Sequence, residues 1–261
     1  MRLVSNEQVI VVSNRYFGRG FAWRAVRRER TLSAAGALTC RVAVAVGRLG
    51  GVWLTLLAGF IAPVFAAPAA APALPTLSAE QVHALLPALR QGGFIFYFRH
   101  AATRHDQVDR QPVVLNECAT QRNLSAAGQA QASAIGEAFR ALRIPVGRVL
   151  SSPFCRCVET ASRAFSVVET RDDLYFAIGL KQAERQAKGE ALSGMLAQPP
   201  AAGSNTVLVA HTANLKEAAH IWPKPEGVAI VFRPDGHGGF EVFGRIAPDT
   251  WPRVSAMHEA R

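Results

Sequence analysis

Five consecutive apolar or aromatic residues, Phe94–Phe98, run straight into Arg99 and His100. An apolar run of that length with no polar residue on either face is the pattern of a strand covered on both sides, as in the parallel sheet of an α/β protein. The abrupt change to a guanidinium and an imidazole puts two functional groups at the carboxyl end of the strand. Open α/β sheets keep their ligand crevice there. One such dipeptide also fits a capped strand end and a packed histidine, so its weight depends on whether other strands finish alike. Two do. Arg148–Ser152 leads through Pro153 to Arg156, and the buried run Thr206–Ala210 ends at His211.

The segments between these strands read as helices and connectors. Ser78-Ala-Glu-Gln81 has the form of a capping box, followed by Val82, Leu85, Leu86 and Leu89 at helical spacing up to Gln91-Gly92-Gly93. A polar loop of about twenty residues, 103–123, follows the first strand, and a loop that long in a compact domain is usually a functional or lid segment. Ser125 caps a second helix whose apolar face is read as Ala127, Ala130, Ala134, Ile135, Phe139 and Leu142. Pro153 opens a third helix with Arg156, Glu159 and Arg163. Phe165–Val168 reads as a further strand, Leu180–Leu196 and Asn214–His220 as helices, and 227–232 with 240–246 as an edge β-hairpin. Strand and helix alternate without internal repeats. The prediction is a three-layer α/β/α sandwich with a mostly parallel sheet and an antiparallel edge hairpin, spanning 78–250, with a frayed tail at 251–261.

The formal net charge of +10 is unevenly spread. Residues 1–67 hold nine Lys/Arg against two Asp/Glu, while the remaining residues hold twenty against seventeen. A nearly balanced domain lacks the basic face that phosphate-backbone binding needs, so nucleic acid is not an expected partner. The basic excess belongs to what reads as a leader with a signal peptide. Arg41 and Arg48 precede an uncharged stretch, 49–67, with the apolar core Val52–Ile61 and small residues at Val64-Phe65-Ala66, and a Pro/Ala linker occupies 68–77. Cleavage near Ala66 or Ala67 would release a periplasmic or secreted domain. An uncleaved leader would anchor it to a membrane, since about 20 apolar residues span a bilayer. The region before about residue 46 is long for a signal peptide, and an internal start such as Val46 would shorten it.

Of the four cysteines, Cys40 lies in the leader. An exported domain permits a disulfide, and the reading pairs Cys118 with Cys155 across the mouth of the site, leaving Cys157 free. Cys155-x-Cys157 lacks a second ligand cluster, so no metal site is expected there.

Two arginines and two histidines from three strand ends suit an anionic substrate. A guanidinium fork matches phosphate oxygens, and an imidazole held at one nitrogen can attack with the other. At these residues the chain resembles the histidine phosphatase superfamily, which includes the phosphoglycerate mutases and the histidine acid phosphatases. Arg99-His100-Ala101 stands for the Arg-His-Gly signature, with Thr103 at its Ser/Thr position. Arg122–Gln131 is similar to the Leu-Thr-x-x-Gly-x-x-Gln-Ala helix start, Ser151–Ala161 to the Ser-Ser-x-x-x-Arg-x-x-x-Thr-Ala element, and Leu208–His211 to Val-x-His.

The resemblance implies a small phosphorylated substrate, no metal and no other cofactor. It makes His100 the nucleophile that becomes a phosphohistidine, Arg99 and Arg156 the clamp on the phosphoryl oxygens, His211 a hydrogen-bond donor to the same group, and Thr103 a further hydroxyl contact. It departs from the family at Ala101 and at the general acid, because Thr212 follows His211 and Phe176 stands where a glutamate is expected. Asp173 is the candidate acid, with Asp106 of the long loop as another. A phosphomutase, or a phosphate-binding module without turnover, are the alternatives that the same fold allows. His83, His105, His220, His237 and His258 are read as surface, loop or packing residues, Glu159 as an arginine partner, and Trp222 and Trp251 as covers for the core edge.

Overall fold

The structure, a computed structural model, describes residues 12–14 and 74–260. The chain divides into two compact units, and the second, residues 27–72, lies wholly outside the described residues, as does the apolar stretch of the expected leader. The first unit is built from β1 (Val12–Asn14), α1 (Ala79–Gln91), β2 (Ile95–Arg99), α2 (Ala126–Ala141), β3 (Val146–Ser151), α3 (Cys155–Ala164) and β4 (Glu169–Thr170). It continues with α4 (Gln182–Ala197), β5 (Asn205–Ala210), α5 (Thr212–Ala219), β6 (Ala229–Pro234), β7 (Phe240–Ile246) and α6 (Thr250–Glu259).

The strands form one sheet in the order β1-β7-β6-β2-β5-β3-β4. The ladders β2–β5, β5–β3 and β3–β4 are parallel, and the β6–β7 hairpin joins antiparallel to β2. Alternate residues of the central strand face opposite layers, as the two-residue period of a strand requires. Phe96 and Phe98 enter a cluster with α1, α2, α3 and α6, where Phe139, Phe165 and Trp251 meet them ring to ring. Ile95 and Tyr97 face Leu192 and Leu196 of α4 and Leu215 of α5. This is the three-layer α/β/α arrangement.

Local chemistry sets the element ends. At α1, Ser78 Oγ accepts from Gln81 N–H and Gln81 Oε1 accepts from Ser78 N–H, the two halves of a capping box worth roughly 1 kcal/mol. Gly92 has φ +85°, and a Cβ there would meet the Ser204 backbone at 2.5 Å, so the tight passage into β2 needs glycine. The buried Asn205 side chain accepts from Phe94 N–H and donates to Leu89 and Pro145 carbonyls, stitching the end of α1 to the starts of β2, β3 and β5.

Several expectations are corrected. Phe165–Val168 is not a strand: Phe165 caps α3 and turns its ring into the Phe98–Phe139 cluster while Val167 is exposed, so β4 begins only at Glu169. The buried face of α2 runs through Gly128, Ala132, Ile135, Gly136, Ala138 and Phe139, whereas Ala127 and Ala130 are exposed. Alanine marks a face weakly; here glycines define it by letting backbones approach. The expected frayed tail is α6, anchored by fully buried Trp251 and Val254. At the end of the Pro/Ala stretch, Arg245 exchanges backbone hydrogen bonds with Pro75 and Leu77. Residues 12–14 pair antiparallel with β7. Together these segments cover a sheet edge that would otherwise expose unpaired backbone groups.

Candidate active site

Parallel register brings the two histidines together. Arg99 pairs with Ala210 across β2 and β5, and His100 N–H bonds the Ala210 carbonyl, so His100 and His211 emerge side by side at the carboxyl edge. Their ring centroids are 5.5 Å apart, and both side chains are buried. On the other flank of β5, Ser152 N–H bonds the Val209 carbonyl, and the chain then turns into α3, which carries Arg156.

The backbone that follows His100 is held by residues of the remaining motifs. Thr160 Oγ1 accepts from Ala101 N–H, Gln131 Oε1 accepts from Ala102 N–H, and the Ala102 carbonyl accepts from both Ser125 N–H and Ser125 Oγ. Gly128 lies against that same carbonyl, which a Cβ would strike. The Ser, Gly, Gln and Thr read as motif letters thus act as positioning residues for the nucleophile candidate.

Both imidazoles are set in the neutral form. His100 Nδ1 lies 3.0 Å from the Ala101 carbonyl, which can only accept, so Nδ1 carries the hydrogen and Nε2 keeps its lone pair. Burial, then the positive charge of Arg156, pushes the His100 pKa well below its ordinary value. Burial and Arg156 do the same to His211. His211 Nε2 is 2.8 Å from Ser152 Oγ, and Tyr97 Oη donates to the His211 carbonyl. Phe176 lies against the His211 ring with centroids 4.6 Å apart, so an aromatic face occupies the ground where a carboxylate was sought. Cys157 lies 3.5 Å from His211 Nε2, but burial pushes its thiol up to about 12, which keeps it protonated and inert.

Three guanidiniums surround the pair. Arg156 is fully buried, with its guanidinium over the Phe154 ring at 4.6 Å. Its Nη1 donates to Asp109 Oδ1 at 2.9 Å, while Nε and Nη2 have no partner. Arg99 donates from Nη2 to Glu226 at 3.0 Å, and its Nε is likewise orphaned. The third, Arg122, lies 4.0 Å from Glu226, and its charge disfavours protonation of both imidazoles. A buried, unpaired donor on a charged group costs on the order of 2 kcal/mol or more. Such donors concentrated beside two neutral imidazoles mark a place for an anion.

Other predicted site residues fall elsewhere or act differently. Thr103 donates its hydroxyl and its N–H to Glu226, so it positions that carboxylate instead of presenting a free hydroxyl. Asp173 does not come to the imidazoles: its carboxylate is paired with Arg171 at 2.7 Å, half-exposed. Asp106 pairs with Arg104 on the surface. Cys118 and Cys155 are joined by a disulfide with Cα atoms 5.7 Å apart, tying the 103–123 loop to the start of α3 one residue before Arg156. Glu159 accepts from Arg163 and Gln129. Among the described residues, no three His, Cys, Asp or Glu side chains are grouped to hold a metal ion, and no helix is long and apolar enough to cross a membrane.

Sequence reasoning missed Asp109, Glu226 and the charge of Arg122. Glu226 stands in a turn with no motif, and reaches the site because Gly227 N–H bonds the His100 carbonyl. Asp109 is one polar residue in a polar loop. Arg122 opened a quoted motif, yet only the fold shows its guanidinium at the cluster.

Residues 95–174 match the family model of the histidine phosphatase superfamily (branch 1). No curated protein sequence matches the chain. Among solved structures, similarity extends to the protein histidine phosphatase SixA complexed with tungstate, at 16% identity, covering 60% of this chain and 97% of that one with a TM-score of 0.42. It extends also to phosphoserine phosphatase from Entamoeba histolytica in complex with 3-phosphoglyceric acid (14% identity, 60% and 98% covered, TM-score 0.44). A mycobacterial glucosyl-3-phosphoglycerate phosphatase shows 16% identity over 58% of this chain and 97% of its own, with a TM-score of 0.41.

Proposed function

We propose that this chain is an exported phosphatase that hydrolyses a small phosphate monoester through a phosphohistidine on His100, with guanidiniums supplying the charge that stabilises the transferred group. The observation that carries the reading is the set of orphaned donors, Arg99 Nε and Arg156 Nε and Nη2, beside a histidine whose tautomer leaves Nε2 free. His100 Nε2 attacks phosphorus, Arg99, Arg122 and Arg156 hold the equatorial oxygens, and His211 Nδ1 donates to one of them. Water then releases inorganic phosphate. Phosphoryl transfer depends mainly on positioning and on stabilising the charge of those oxygens, which is what this cluster offers.

Two observations support export: the apolar stretch followed by small residues in the sequence, and a disulfide of the kind that persists in oxidising compartments. Fractionation and N-terminal sequencing of the expressed chain test that part, and a cytosolic protein beginning at Met1 refutes it. Hydrolysis of p-nitrophenyl phosphate in the presence of EDTA tests the chemistry. The expected result is turnover that His100→Ala lowers on the order of 10⁴-fold or more, with acid-labile phosphate on the wild-type protein after quenching. The aromatic face of Phe176 against His211 favours a second reading, a phosphate-binding module without turnover. Tight binding of inorganic phosphate with no hydrolysis of any substrate would establish it.

A further inference from the structure

We propose that Asp109 is the acid–base residue of this site, protonating the leaving-group oxygen and then taking a proton from the hydrolytic water. This rests on the phosphatase reading above and supplies the acid that Asp173 and Asp106 do not. The carboxylates of the site divide clearly. Glu226 accepts from Arg99 Nη2, Thr103 N–H and Thr103 Oγ1, and is 14% exposed. Both of its oxygens are taken up by these bonds, so its part is to fix Arg99 and Thr103. Asp109 uses only Oδ1, which accepts from Arg156 Nη1 and from Arg122 N–H, each at 2.9 Å. Its Oδ2 makes no hydrogen bond among the described residues.

The position fits the task. Arg156 presents Nη1 to Asp109 and keeps Nε and Nη2 open, so an oxygen bound at Nη2 lies next to the Asp109 carboxyl on one planar fork. His100 is on the buried floor of the site, 2% exposed, and Asp109 belongs to the loop 103–123 at its mouth. In-line attack from the floor sends the leaving group toward the mouth. The guanidinium facing Asp109 is that of Arg156 on α3; Arg122 offers it a backbone N–H, and the Cys157 thiol, also on α3, lies within reach of its charge. A phosphate ester held on Arg156 Nε and Nη2 puts its oxygens beside the Asp109 carboxyl, within reach for a proton to pass between them.

The steps balance. The His100 Nε2 lone pair forms the N–P bond, the P–O bond to the leaving group breaks, and its electron pair goes to that oxygen, which takes the Asp109 proton and departs as the alcohol. Water then forms a new P–O bond while its proton passes to Asp109. The P–N bond breaks, its electron pair returns to Nε2, and inorganic phosphate leaves.

The test uses the full chain and aryl phosphates from p-nitrophenyl to phenyl phosphate, followed by an alkyl phosphate, reading kcat/KM because it reports the step that expels the leaving group. The expected result is a wild-type kcat/KM that changes little with leaving-group basicity. Asp109→Asn should lose about 10²–10³-fold on phenyl phosphate and less than about tenfold on p-nitrophenyl phosphate, and Asp109→Glu should recover part of the difference. Equal losses on both esters would show that Asp109 only holds Arg156, and would overturn the proposal. So would a wild-type rate that falls steeply with basicity, a measurement that needs no variant. A wild-type protein that hydrolyses none of the esters, or a His100→Ala protein as active as the wild type, overturns the phosphatase reading itself and this inference with it.

Discussion

Replacing both Cys118 and Cys155 by serine removes the disulfide without leaving a new free thiol. The bridged residues are 37 apart in sequence, and the segment between them contains α2 and β3, which belong to the core. In the chain-entropy model, closing a loop of that length in the unfolded ensemble contributes about 4 kcal/mol of stability. A domain of this size loses roughly 2–4 °C in Tm per kcal/mol, so the double variant should melt about 8–15 °C lower. Reduced wild-type protein should melt near the double variant. The site itself should suffer less. Gln121 Oε1 still accepts from Cys155 N–H, and its Nε2 still donates to the Val114 and Leu115 carbonyls, so the loop remains attached to α3 without the sulfur bridge. The kcat/KM for p-nitrophenyl phosphate should therefore fall by less than about tenfold, a difference of about 1.4 kcal/mol in the barrier. Thermal unfolding followed by circular dichroism, with parallel kinetics, measures both quantities. A double variant that melts within about 2 °C of the oxidised wild type would refute the reasoning, because the bridge would then be constraining nothing.

Two further outcomes follow from the packing and the charge of the site. Gly128→Ala drives a methyl group into the Ala102 carbonyl and should lower stability by roughly 1–3 kcal/mol, with a matching fall in kcat because the same backbone carries His100; unchanged melting and kcat would mean that α2 shifts freely. His100 and His211 are neutral in the fold, with pKa values well below 6.5, and the unfolded chain binds protons there first. Stability therefore rises with pH through this window and is lost as pH falls below about 6.5, on the order of 1 kcal/mol per imidazole between pH 6.5 and 5.5. Urea midpoints at the two pH values, compared with a His211→Gln variant that should lose about half of the change, check the sign and the size.

The layers and the strand ends were legible because their signals are local. A capping box, an apolar run and a proline before a helix each act within a few residues, and each appears where the spacing puts it, from Ser78 to His211. The errors lie where local composition is ambiguous. The alanines of α2 fit either face, Val167 was apolar yet exposed, and Trp251 was read as a cover for the core edge although it fills the centre of an aromatic cluster. The site divides in the same way. Histidine and arginine at strand ends stand out in one dimension, whereas the carboxylates that set their hydrogen bonds do not.

Taken alone, the order of residues determined that buried strands end in His100 and His211 and that an arginine-bearing helix follows a third. It specified which groups were available for an anion, since side-chain chemistry and strand periodicity are written residue by residue. Only the tertiary structure decided that Asp109 turns to Arg156, that Glu226 gathers Arg99 and Thr103, and that Asp173 stays with Arg171 outside. A carboxylate's role depends on which cations lie within a few ångströms, and those neighbours are brought together by sheet register and loop path, not by proximity along the chain.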